Sequence, residues 1–66
     1  MKTKHIERAI NDGAQMIVKQ RMRGKSIFHA TLTWPDGEGY SGGIATTIEG
    51  AIDNLDTRAE AEARST

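Results

Sequence analysis

The sequence predicts a small α+β domain of order helix, strand, strand, helix (αββα), with both helices on one face of a two-stranded antiparallel sheet. Three observations predict it. An apolar stripe of helical period runs through residues 4–22, an alternating β-branched run over 26–34 leads into Pro35-Asp36-Gly37, and a capped helical pattern follows from Thr46.

In the first element, Ile6, Ile10, Ala14 and Ile17 recur at helical spacing, and Lys4, Arg8, Asn11, Gln15 and Lys19 fall opposite them. Gly13 lies on the apolar side, where it weakens a helix by about 1 kcal/mol relative to Ala unless another backbone comes close. Gly24 is the expected left-handed cap. In the strand over 26–34, Phe28, Ala30, Leu32 and Trp34 share the face that suits a core, and Ile27, His29, Thr31 and Thr33 share the other. Pro35 presets the first turn position, and Gly37 accepts the positive φ of a glycine-bulge hairpin. The second strand is expected over about 38–45, with Tyr40, Gly42 and Ile44 on one face. Its glycines at 39, 42 and 43 indicate a bulge or a closely approached backbone. Thr46-Thr47-Ile48-Glu49 fits a capping box with Thr46 as N-cap. Ile48, Ala51, Ile52, Leu55 and Ala59 then form an apolar stripe to about residue 62, with Asp53, Asp56, Glu60 and Glu62 towards solvent and residues 63–66 as a frayed tail.

Sixty-six residues form one domain, 1–66, and a domain this small buries only about 60% of its unfolded surface. There is no Cys, and His5 and His29 have no ligand-like spacing, so neither a disulfide nor a metal site is expected. Oligomerisation is the remaining support. Two exposed hairpin edges pairing between copies would complete a four-stranded sheet, so a homodimer is expected. No apolar run approaches the length of a membrane span and no signal-peptide core is present, which makes the expected compartment the cytoplasm.

The zero net charge hides a division. Residues 1–25 hold seven Lys or Arg against Glu7 and Asp12, residues 26–35 hold no charge, and residues 36–66 hold seven Asp or Glu against Arg58 and Arg64. Such asymmetry points to binding, between the halves or with a partner. Lys19, Arg21, Arg23 and Lys25 place four cations in seven residues, a pattern suited to phosphate contacts. A structural role competes: at a helix C-terminus the macrodipole favours cations, and the acidic second helix could pair with them. The acidic helix suits a basic partner, steered by charge. His29, Asp36 and Glu38 are a conceivable acid–base set, but turn chemistry already accounts for Asp36. No activated nucleophile or paired carboxylate is present, so catalysis is not expected. The second helix start, near Thr46 and Thr47, is a candidate position for an anion.

At Pro35, Asp36, Gly39, Thr47, Glu49 and Ala51 the segment 34–55 resembles HicB-type antitoxins, in which a strand ends in Pro-Asp, passes a Gly and leads to a Thr-x-Glu-x-Ala helix start. The resemblance implies a small αβ module that binds and neutralises a toxin, commonly as an oligomer. The strand, the Gly-Tyr-Ser-Gly-Gly stretch at 39–43 and the closing helix are also similar to double-stranded RNA-binding domains. That family has three strands and a basic final helix, where two strands and an acidic helix are expected here. In its general style the chain resembles phage-encoded accessory proteins, including inhibitors of host defence.

These observations lead to a small non-catalytic protein-binding regulator or inhibitor, antitoxin-like or anti-defence, from a phage or other mobile element. It needs no cofactor. Its partner would be a basic or nucleic-acid-binding protein, met by Asp53, Asp56, Glu60 and Tyr40. The alternative is nucleic-acid binding through Arg8, Lys19, Arg21, Arg23 and Lys25.

Overall fold

A left-handed residue at Gly13 decides the architecture. The computed structural model describes residues 2–64. The chain runs α1 (Lys4–Asn11), β1 (Gln15–Gln20), β2 (Phe28–Thr33), β3 (Gly39–Ala45) and α2 (Ile48–Arg64). The strands form one antiparallel sheet in the order β1-β2-β3. The expected αββα fold is therefore replaced by αβββα, because the first predicted helix is two elements.

The break has a local cause. Gly13 has φ of +108°. Its N–H donates to the Ile10 carbonyl at 3.0 Å, and the Ala14 N–H donates to the Ala9 carbonyl at 2.9 Å. These two bonds make a Schellman motif that ends α1. Beyond it, Gln-Met-Ile-Val-Lys-Gln alternates, with the β-branched pair Ile17-Val18 at its centre. Met16 and Val18 lie opposite Leu32 and Ala30 on the core side, while Ile17 and Lys19 point to the other face beside Thr31 and His29. The spacing of Ile6, Ile10, Ala14 and Ile17 imitates a helix across this boundary. In fact Ile6 is buried on α1, Ile10 is half-exposed and Ile17 belongs to a strand. Gly24, expected to cap a long helix, instead takes φ of +80° within the β1–β2 connection.

Both helices cover the same face of the sheet. The core is Ile6 and Ala9 of α1, Ala14, Ala30 and Leu32 of β2, and Ala51, Ile52, Leu55 and Ala59 of α2. Fully burying one Leu such as Leu32 or Leu55 contributes about 1.5–3 kcal/mol. Gly42 lets α2 lie this close: a Cβ there would stand 2.5 Å from Leu55 Cβ and 2.7 Å from its Cα. Across from Ala30, β3 carries one extra residue at Gly42-Gly43, a bulge that shifts the register. The shift turns Ile44 onto the open face, where it is 51% exposed opposite His29, instead of inward with Tyr40 and Gly42.

The β2–β3 loop forms as expected, with the Gly37 N–H bonded to the Trp34 carbonyl at 2.9 Å and the Trp34 N–H to the Glu38 carbonyl at 2.8 Å. The N-cap of α2 is Thr47, not Thr46: its Oγ accepts the Gly50 N–H at 2.9 Å. The helix reaches Arg64; Ser65 and Thr66 of the expected frayed tail lie outside the described residues. With three strands in each chain, the argument that a bare two-stranded hairpin requires completion by a second copy no longer holds. No described helix is long and apolar enough to cross a membrane.

Candidate functional site

The charges expected to recognise a partner have separate fates. Asp56, expected on a solvent face, is 1% exposed. Its Oδ1 accepts the backbone N–H groups of His5 at 2.8 Å and Ile6 at 3.0 Å, the second and third residues of α1, while its Oδ2 is buried without a hydrogen bond. Thr3, the N-cap of α1, makes no side-chain cap bond. Asp56 therefore caps α1 from across the core, and its negative charge meets the positive end of the helix. Asp53 Oδ1 accepts the Lys2 N–H at 2.6 Å, and Glu60 lies 3.6 Å from Lys2 Nζ and 3.9 Å from His5 Nε2. The acidic edge of α2 is thus the dock for the N-terminal segment. Tyr40, the fourth of the expected protein-binding residues, lies elsewhere, edge-on to Trp34 with ring centroids 5.3 Å apart and planes at 84°.

The basic cluster keeps its freedom. Lys19 closes the exposed end of β1, and Arg21, Arg23 and Lys25 lie in the connection between β1 and β2, all exposed. None of the four makes a salt bridge among the described residues. The loop itself is tied: the Arg21 N–H bonds to the Ile27 carbonyl at 2.7 Å, the Lys25 N–H to the Met22 carbonyl at 3.1 Å, and Gln20 Nε2 to the Lys25 carbonyl at 2.6 Å. Because α1 ends at Asn11, these cations sit at no helix C-terminus, and the macrodipole does not account for them. Pairing with α2 does not account for them either. Arg8, the fifth expected member, is not brought to them. It lies on α1 and lines a groove with Trp34 and Tyr40 at the opposite end of the sheet.

Other expected constellations do not assemble. His29 bonds to Ser41 Oγ on the open face, near the β1–β2 end, whereas Asp36 and Glu38 lie in the β2–β3 loop at the other end. Asp36 Oδ1 accepts the Glu38 N–H at 3.0 Å, the turn chemistry anticipated for it. The Thr47 hydroxyl, near the suggested anion position, is bonded to the Gly50 amide.

Two features were beyond sequence reasoning. One is the long-range cap by Asp56, whose partner amides are fifty residues away. The other is the juxtaposition of Asp12 with Trp34, Asp36, Glu38 and Tyr40 around one groove. Both follow from tertiary packing. The sole local signal was the Gly13 break, which brings Asp12 to the β2–β3 end.

The architecture and the site define a class: an αβββα module with a compact helical layer and a cationic hairpin tip. The sequence matches no protein-family model, and no curated protein or solved structure matches the chain.

Proposed function

We propose that the chain is a small non-catalytic binding module that holds the phosphate backbone of a nucleic acid at its β1–β2 tip. The observation that carries this reading is that Lys19 at the end of β1 and Arg21, Arg23 and Lys25 on the tied loop beyond it are exposed and without a salt bridge among the described residues, while Asp53, Asp56 and Glu60 are engaged with the N-terminal segment. Lys and Arg grouped this way neutralise phosphates and release counterions. The third strand also removes one of the two differences that set the chain apart from double-stranded RNA-binding domains. The closing helix remains acidic, but its Asp53, Asp56 and Glu60 meet the N-terminal segment.

The reading as a regulator of a basic protein partner, antitoxin-like or anti-defence, has less to stand on. Of the residues it relied on, Asp56 is buried and Asp53 and Glu60 meet the chain's own N-terminal segment.

The test is a fluorescence-anisotropy titration with short double-stranded DNA, double-stranded RNA and single strands at two salt concentrations. Affinity should fall with salt, with a log–log slope of about −0.9 per phosphate neutralised on duplex DNA. Replacing Arg21, Arg23 and Lys25 by Ala should lower affinity more than tenfold. Absence of binding at low salt, or equal binding by the variant, would refute the reading.

A further inference from the structure

Phosphate contacts account for the cations of the tip but not for Met22, which is 54% exposed between Arg21 and Arg23. At the other end of the sheet lies a groove whose chemistry is the counterpart of this tripeptide. Trp34 and Tyr40, both half-buried and edge-on to one another, form its apolar part, and Asp12, Asp36 and Glu38 surround them. Arg8 and His5 line the adjoining groove, which shares Asp12, Trp34 and Tyr40, but the side formed by Asp36, Glu38 and Gly39 has no cation among the described residues, and Asp12, Asp36 and Glu38 make no salt bridge among them. The β1–β2 tip follows the pair Gln20–Phe28 and the groove follows the pair Thr33–Gly39, so the two stand at opposite ends of β2 and cannot meet within one chain.

We infer that the groove receives the Arg21-Met22-Arg23 tip of a second copy of this chain. The Met22 thioether meets the aromatic pair, a contact that sulfur makes favourably at ring edges. The flanking guanidinium groups meet carboxylates, their strongest hydrogen-bonding partners. Each copy offers one tip and one groove. Association is therefore head-to-tail and extends, unless two copies lie antiparallel and close both contacts at once. The tip cannot hold phosphate and a neighbouring groove together, so self-association and nucleic-acid binding compete. The inference stands without the proposed function, since it concerns the protein alone.

The experiment is sedimentation velocity of the full chain without nucleic acid, from about 10 μM to about 1 mM, at about 50 mM and about 500 mM salt, which brackets strong and weak screening. Two variants accompany it: a neutral tip, Arg21→Gln with Arg23→Gln, and a neutral groove, Asp36→Asn with Glu38→Gln. The unmodified chain should associate as concentration rises and less so at high salt. Each variant alone should stay monomeric. Mixed in equal amounts, they should form a species of two chains and nothing larger, since one intact tip meets one intact groove. Met22→Ala, at a position with no structural demand, should weaken association several-fold. A chain monomeric at every concentration would overturn the inference. So would a variant that associates like the parent, a mixture of two folded variants that fails to pair, or a Met22→Ala variant that associates unchanged.

Discussion

The contact between α1 and α2 and the β1–β2 tip use the same kind of residue to opposite ends. At the helix pair, Asp56 is buried and satisfies two amides of α1, and its neighbours Asp53 and Glu60 meet Lys2. At the tip, four cations face solvent with no salt bridge among the described residues. The difference teaches that charge placed where the chain is already ordered becomes part of the fold. Charge placed at the exposed end of the sheet and on the loop beyond it stays in solvent. A dipolar sequence thus divides into a structural half and an exposed half, along a line that its linear charge map does not draw.

Breaking the structural half should produce the largest effect. Asp56→Ala removes the side-chain cap at the start of α1 and leaves the His5 and Ile6 amides without it. The expected loss is about 2–3 kcal/mol, enough to lower the melting temperature of a domain this size by about 10 °C or more. Thermal denaturation followed by circular dichroism measures it. Asp56→Asn keeps an acceptor oxygen and should lose about half as much. Equal stability of Asp56→Ala and the parent would show that the cap carries no weight. For the same reason, Asp53→Lys with Asp56→Lys should destabilise the chain.

Gly42→Val comes next. Its first side-chain carbon would stand 2.5 Å from Leu55 Cβ, and overpacking of this kind costs about 1–3 kcal/mol, read as a lower denaturant midpoint. Gly13→Ala forces a Cβ into a left-handed conformation and should cost about 1 kcal/mol; a stabilised variant would mean that α1 runs on past Asn11. Glu60→Gln loosens a partly exposed pair with Lys2 and should change stability by less than about 1 kcal/mol. At the end of the scale, the Ala variant at Arg21, Arg23 and Lys25 should leave the melting temperature unchanged while nucleic-acid affinity falls. A drop in melting temperature would erase the distinction between the two regions.

Much of the fold is legible from particular residues. Pro35-Asp36-Gly37 marks its turn because those residues tolerate the backbone the turn demands. Phe28, Ala30, Leu32 and Trp34 mark the inner face of β2 by alternation, and Ala51, Ile52, Leu55 and Ala59 mark the inner stripe of α2. The loss of β1 from the sequence reading has a definite cause. Four apolar residues at helical intervals straddle Gly13, and their spacing is the same whether the chain continues as a helix or turns into a strand. Ile44 was misplaced because a bulge changes the phase of alternation, and the glycines that permit a bulge do not say where the phase slips. Of the candidate site, the tip residues Lys19, Arg21, Arg23 and Lys25 were legible as a cluster, but their presentation on a hairpin was not.

By itself, the sequence determined the local elements around β2, the β2–β3 turn and α2, because turn chemistry and side-chain period act over a few residues. It also determined that the chain would be dipolar and lack cysteine. Only the tertiary structure decided that a third strand follows Gly13, that Asp56 caps a helix fifty residues away, and that Asp12 joins Trp34 and Tyr40 at one end while Lys19, Arg21, Arg23 and Lys25 lie exposed at the other. Those outcomes depend on which surfaces exclude water together, and burial between distant segments leaves no mark in the local pattern of either one.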